Sequence, residues 1–131
     1  MQLGYVILYT ADVESSVAFY ERAFGLTRRF VSPGNDYGEL DTGATTLSFA
    51  SSTLAMSNLE HAGGFARLDP SAPPPGASIT LLTDDVPAAL ATALDAGATP
   101  YTEPTEKPWG QTVAYVRDLD GILVELATPV A

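Results

Sequence analysis

The chain contains no cysteine, only six lysine and arginine residues, and a single histidine among its 131 residues. Without cysteine there is no disulfide, no thiolate metal site and no cysteine nucleophile. The net charge of −10 argues against nucleic acid as a partner, because phosphate binding relies on clustered lysine and arginine. No apolar run reaches the ~20 residues of a membrane span, and no signal peptide opens the chain. We therefore expect a cytoplasmic protein with neither a membrane nor a nucleic-acid partner.

The remaining composition is that of one ordinary globular domain. Hydrophobic residues make up 46% of the chain and charged residues 17%, which excludes a disordered protein. The acidic excess is most simply a solubility feature, although an acidic surface also attracts cationic small molecules.

Residues 1–50 carry the pattern of a β-α-β-β-β unit. An apolar strand over 3–10 precedes Asp12, a residue type that caps helix N-termini, and the helix that follows ends at Gly25. Runs rich in β-branched and aromatic residues, separated by turn residues, then predict three strands. These three strands are expected at 27–31, 37–41 and 45–50.

Residues 78–131 repeat this pattern. A strand, a helix capped by Asp85 and stopped by Gly97, and three strands follow one another, the last two as a hairpin over 111–127. The two capping aspartates, Asp12 and Asp85, stand 73 positions apart, and several apolar residues match at the same offset. Self-similarity of this kind indicates a duplicated supersecondary unit.

The two halves are joined by a proline-rich connector, residues 51–77, which contains a possible short helix over 54–61. The sole histidine, His61, lies in this connector, where a histidine is typically solvated. Whether His61 and Phe65 fold over a cavity is left open. A second proline-flanked segment, 104–108, is interpreted as a stiff loop before the last hairpin.

Three stretches resemble the vicinal oxygen chelate superfamily, which includes glyoxalase I, extradiol dioxygenases and the bleomycin-resistance proteins. They are Ala11-Asp12-Val13-Glu14-Ser15-Ser16-Val17-Ala18-Phe19-Tyr20, Phe24-Gly25-Leu26 and the segment from Asp118-Leu119-Asp120-Gly121 to Glu125-Leu126. The resemblance covers 1–131 as a single domain. It implies an α+β fold of two tandem β-α-β-β-β units, whose curved mixed sheets carry helices on the outer face and each cup a cavity. It also implies a homodimer in which both chains complete each site.

In metal-dependent members of that superfamily, histidine or glutamate holds a divalent cation at four strand positions. Carried over to this sequence, those positions fall on Tyr5, Ser78, Glu125, and either Thr46 or Leu47. Only Glu125 is a good ligand, whereas a catalytic divalent metal usually needs about three such protein ligands. We therefore expect no cofactor, with a divalent metal held partly by Glu125 as the alternative.

Strand alternation extends these positions to a predicted ligand-binding face, with the tryptophan at its rim. The predicted set is Tyr5, Ile7, Tyr9, Ser78, Thr80, Trp109, Tyr115, Arg117 and Glu125. Each aromatic residue taken alone is equally consistent with packing or with a dimer contact. Glu125 is equally consistent with a buried carboxylate satisfied by Tyr5, Ser78 or Arg117, and Arg117 is the first partner expected.

Two functions follow from this reasoning. One is a metal-free protein of the bleomycin-resistance kind, which binds a small aromatic or cationic molecule in a dimeric cavity. The other is a metal-dependent lyase, isomerase or dioxygenase, in which Glu125 is the catalytic candidate as general base or metal ligand. A partner-binding role through a sheet edge is third. The sequence decides neither the ligand nor whether the protein is an enzyme.

Overall fold

A computed structural model describes residues 1–130, which form two four-stranded sheets and three α-helices. The first elements are β1 (Tyr5–Thr10), α1 (Val13–Phe24), β2 (Thr27–Val31), β3 (Tyr37–Asp41), β4 (Thr46–Ser51), α2 (Ser52–Leu59) and a 3₁₀ turn (Glu60–Ala62). The later elements are β5 (Ser78–Leu82), α3 (Val86–Asp95), β6 (Thr99–Glu106), β7 (Thr112–Arg117) and β8 (Leu123–Ala127). None of these helices is long and apolar enough to span a membrane.

The chain divides into two compact units. The first contains Met1–Glu21 and Gly25–Leu68, and the second contains Arg22–Phe24 together with the residues from Asp69 onward. The proline-rich connector is thus shared, because its helical part belongs to the first unit and its proline-rich end to the second.

In the first unit the strand order is β1-β4-β3-β2, with β1 parallel to β4 and the other pairs antiparallel. Helix α1 begins where the Asp12 side chain accepts a hydrogen bond from the Ser15 amide, 3.2 Å away. The helix lies directly over β3 at Gly38, where a β-carbon would come within 3.0 Å of a Val13 methyl carbon. The helix and sheet therefore bury one face of each element.

The second unit repeats this order as β5-β8-β7-β6, with β5 parallel to β8. The Asp85 side chain accepts a hydrogen bond from the Ala88 amide at 3.0 Å and so caps α3. Helix α3 contacts β6, β7 and β8, and Val86 and Ala93 of the helix are buried, as are Val116 and Val124 of the sheet. The predicted α+β fold of two β-α-β-β-β units is confirmed.

One local prediction is wrong. Residues 104–106 are not loop, because β6 continues through Pro104 to Glu106. β6 is the edge strand of its sheet, all of its residues are exposed, and its register against β7 shifts twice, after Pro100 and after Thr102. Proline lacks an N–H but is tolerated in edge strands and at bulges, so two prolines do not end this strand.

Candidate functional site

A groove of about 470 Å³ lies in the second unit, on the sheet face that alternation assigned to ligand binding. Its floor comes from neighbouring strands, because Ser78 pairs with Leu123 and Tyr115 pairs with Thr102. The last connector residues, Pro75 to Ala77, form one of its walls. The full lining is Pro75, Gly76, Ala77, Ser78, Tyr101, Thr102, Tyr115 and Leu123.

Glu125 lies beside this groove, and hydroxyl groups satisfy both of its oxygens. Thr80 Oγ1 donates to Oε1 at 2.8 Å and the Tyr115 hydroxyl donates to Oε2 at 2.6 Å. The strand register explains the contacts, since Glu125 stands opposite Thr80 on one side and Tyr115 on the other. The hydrogen bond to Glu125, followed by burial, raises the pKa of Tyr115. Tyr115 is therefore a hydrogen-bond donor at neutral pH and holds the carboxylate at the edge of the groove.

Arg117 does not pair with Glu125, so that prediction is wrong. The buried guanidinium instead donates to three backbone carbonyls, from Nε to Gly121 at 2.9 Å, from Nη1 to Pro70 at 3.1 Å and from Nη2 to Asp69 at 3.4 Å. Arg117 stands opposite Leu123, at the end of β7, where the connector passes the sheet. These carbonyls belong to residues far away in sequence or to the turn backbone, so residue types alone did not indicate them.

The structure places Tyr5, Ile7 and Tyr9 on β1 of the first unit, and none of them is among the groove residues. Tyr5 and Ile7 are 56% and 43% exposed, and the intervening Val6 is less so. Tyr9 packs edge-on against Phe65 of the connector, with the ring centroids 4.8 Å apart. Phe65 therefore covers the end of β1 in this unit.

The predicted site residue Trp109 lies at the surface, and so does His61, as expected for a histidine in the connector. Trp109 is 64% exposed, and its ring N–H donates to the Gln111 side-chain oxygen at 2.7 Å. His61 is exposed in the 3₁₀ turn after α2. Neither residue lines the groove, whereas Tyr101 and Thr102, which the sequence reasoning missed, do. Tyr101 lies on the bulged edge strand, where alternation does not indicate which way a side chain faces.

A second carboxylate, Glu39 on β3, was also missed. It is buried and accepts hydrogen bonds from the Tyr37 hydroxyl at 2.7 Å and from Arg29 at 3.0 Å. Arg29 also contacts Asp41 at 3.3 Å and Thr46 at 3.2 Å. The alternation of Tyr37, Glu39 and Asp41 along β3 is a signal that could have revealed this cluster.

The strand register also corrects the expected metal-ligand positions. Ile7 pairs with Ser48 as Thr80 pairs with Glu125, so Ser48, and not Thr46 or Leu47, is the counterpart of Glu125. Ser48 offers only a fully buried hydroxyl. Within residues 1–130, no three histidine, aspartate or glutamate side chains come together where they could hold a metal ion. A lone carboxylate does not supply the about three protein ligands that the superfamily's divalent cation needs.

Comparison with known proteins identifies the family. A family model described as the glyoxalase/bleomycin resistance protein/dioxygenase superfamily matches residues 2–126. A glyoxalase-related enzyme from Fulvimarina pelagi superposes with a TM-score of 0.80 at 20% identity, over 98% of this chain and 88% of that one. A glyoxalase/bleomycin resistance protein/dioxygenase family enzyme from Burkholderia phytofirmans PsJN superposes with a TM-score of 0.80 at 22% identity, over 100% of both chains.

These identities are low, and the superpositions show a shared fold. No curated protein matches the sequence significantly. The duplicated unit, the strand order of each sheet and the family match agree with one another. The chain belongs to the glyoxalase/bleomycin resistance protein/dioxygenase superfamily.

Proposed function

We propose that this protein binds a small aromatic or cationic molecule in the groove of its second unit, without a metal ion, as a homodimer. The observation that carries the proposal is the groove of about 470 Å³, which has two tyrosines in its lining and a carboxylate at its edge. The proposal is for binding rather than for chemical conversion of the ligand.

The size and lining of the groove support this choice. Small-molecule sites typically measure about 300–1,000 Å³ and are mostly apolar with a few polar groups. Tyr101 and Tyr115 offer aromatic faces for stacking or for contact with a cation, while Pro75 and Leu123 are apolar. Tyr101 is 52% exposed, so its ring is accessible to a ligand.

Electrostatics favours a cation over an anion. Each Glu125 oxygen accepts one hydrogen bond, and a carboxylate oxygen has a second lone pair that a cationic group can use. The chain carries a net charge of −10, which raises the local concentration of cations near its surface. The exposed apolar side chains of Tyr5, Ile7 and Phe30 support the dimeric part of the proposal.

Two aromatic probes of opposite charge test the proposal by their binding affinities. Ethidium, a planar aromatic cation, should bind saturably, and Glu125→Gln should weaken it about tenfold, equivalent to about 1.4 kcal/mol. Glu60→Gln is the matched control, because it removes the same charge from an exposed residue of the first unit. Anilinonaphthalene sulfonate, an aromatic anion, should bind more weakly than ethidium.

Failure of ethidium to bind, or equal binding by wild type and Glu125→Gln, would refute the cation site. Elemental analysis of the purified protein addresses the metal, and one tightly held divalent ion per chain would favour the metal-dependent enzyme instead. Analytical ultracentrifugation tests the homodimer, which a monomer at micromolar concentration would contradict.

A further inference from the structure

The buried arginine on β7 contacts backbone that lies outside its own strand. Arg117 is 9% exposed, and its guanidinium donates to three backbone carbonyls. Two of these carbonyls, on Asp69 and Pro70, belong to the connector, and the third, on Gly121, belongs to the turn before β8. One side chain therefore joins the end of the sheet to the start of the connector's proline-rich part.

That part of the connector begins with a turn. Asp69 Oδ1 accepts hydrogen bonds from the Ser71 hydroxyl at 2.7 Å and the Ser71 amide at 2.9 Å, and the Asp69 carbonyl accepts one from Ala72 at 3.1 Å. These Ser71 bonds chiefly, and the positive charge of Arg117 in addition, lower the pKa of Asp69. Asp69 therefore stays ionised at neutral pH and holds the turn together beside the guanidinium.

Beyond the turn the connector is stiff. Residues 73–75 are three consecutive prolines, which hold φ near −65° and favour an extended conformation. Pro75 to Ala77 then form a wall of the groove before the chain enters β5. In the part of the chain that the structure describes, the hydrogen bonds that tie residues 69–77 to the sheet below come from Arg117. The three prolines thus connect the turn that Arg117 contacts at Pro70 to the groove wall that begins at Pro75.

Gly121 shows how closely these parts pack. A β-carbon at Gly121 would lie 2.5 Å from Arg117 Nη2 and 2.9 Å from the Pro70 α-carbon. The glycine also has a φ of +95°, which disfavours any other residue type. The turn, the guanidinium and the connector thus occupy the same small volume, with no space for an additional methyl group.

We infer that Arg117 is a positioning residue: it holds the connector over residues 69–77 as a fixed wall of the groove. This inference rests on the proposed binding function for its effect on affinity. It predicts that loss of the guanidinium loosens the wall and weakens ligand binding, although Arg117 itself does not line the groove.

A distance measurement that needs no ligand tests the wall. The chain has no cysteine, so spin labels attach only to introduced cysteines. One label is placed by Gly76→Cys, where a β-carbon meets nothing within 4 Å, and the other by Glu103→Cys at an exposed position of β6. Pulsed electron paramagnetic resonance on labelled chains diluted with unlabelled ones should give one narrow distance distribution. Arg117→Gln should at least double its width, Arg117→Lys should have a smaller effect, and the exposed Arg22→Gln should have none.

Ethidium binding by the same variants without the labels completes the experiment. Arg117→Gln should raise the ethidium Kd about tenfold at a temperature where circular dichroism shows the variant fully folded. If Arg117→Gln does not fold, Arg117→Lys replaces it in both measurements, because lysine keeps the charge and the aliphatic stem but lacks the planar fork that binds three carbonyls.

Each result has one meaning. An unchanged distance distribution overturns the inference whether or not ethidium binds. A broadened distribution with an unchanged Kd also overturns it, since the wall would then be irrelevant to the ligand. A broadened distribution in a protein whose wild type does not bind ethidium refutes the proposed function but leaves Arg117 as the residue that positions the wall.

Discussion

Replacing Asp118 by alanine should destabilise the second unit by about 3 kcal/mol. Its Oδ1 atom accepts hydrogen bonds from the amides of Asp120 and Ile122, both at 2.9 Å, and the residue is 5% exposed. A hydrogen bond to a charged group contributes about 1.5–3 kcal/mol, and a buried N–H left without a partner costs about 1–3 kcal/mol. The Ile122 bond is buried and the Asp120 bond only partly so. We therefore assign about 2 kcal/mol to the Ile122 bond and about 1 kcal/mol to the Asp120 bond.

Asparagine at position 118 separates the hydrogen bonds from the charge. Asp118→Asn keeps an acceptor oxygen in place and should cost about 1 kcal/mol, the difference between a charged and a neutral acceptor. Asp84→Ala is the matched control, because it removes the same charge from an exposed residue of the same unit. It should change the free energy of unfolding by less than about 0.5 kcal/mol.

Urea unfolding followed by the fluorescence of the sole tryptophan, Trp109, measures these changes in the second unit. With a slope of about 2 kcal/mol per molar urea, Asp118→Ala should lower the unfolding midpoint by about 1.5 M. A midpoint within 0.3 M of wild type, by the same slope less than about 0.6 kcal/mol, would refute the hydrogen-bond reasoning. So would an asparagine variant as unstable as the alanine variant, because the charge alone would then explain the loss.

Three further predictions concern both units. Gly38→Ala should cost about 1–3 kcal/mol in thermal unfolding, because its methyl group would overpack two valines of α1 that lie 3.0 and 3.1 Å away. Asp12→Ala should cost about 1 kcal/mol at pH 7 through loss of the helix cap. A hydrogen bond from Asn35 lowers the pKa of Asp12 from its ordinary value of 3.8. In acid titrations, the stability that the ionised Asp12 contributes is therefore present above pH 3.8 and is lost as the pH falls through the folded-state pKa. Because the pKa of Tyr115 is raised in the folded state, this tyrosine ionises first in the unfolded state. The free energy of unfolding should therefore fall as the pH rises above the ordinary tyrosine pKa of 10. Urea unfolding of Tyr115→Phe should show a smaller dependence on pH in this range.

Much of the fold could be predicted because its signals are local. The cap at Asp12 bonds an amide three residues later, and Asp118 bonds amides two and four residues later. Gly25 adopts a φ of +68° at the end of α1, as a helix-terminating glycine does. Such contacts depend on residue type and short spacing, both of which a sequence displays directly.

The arrangement of the groove could be predicted only in part. Alternation along regular strands correctly groups Thr80, Tyr115 and Glu125 on one face, because the side-chain period of a strand is two. It does not apply to the bulged β6, which places Tyr101 in the groove. It also does not indicate which strands become neighbours or in what register, which is why Ser48 was not recognised as the counterpart of Glu125.

The sequence by itself determined the duplicated unit, the ends of its helices and the lone carboxylate on the last strand. Only the tertiary structure decided what surrounds that carboxylate and what closes the groove. Arg117 binds carbonyls of Asp69 and Pro70, which stand 48 and 47 residues earlier in the chain. Because every residue, proline included, carries the same backbone C=O group, residue identity contains no record of which distant carbonyl a buried guanidinium will meet.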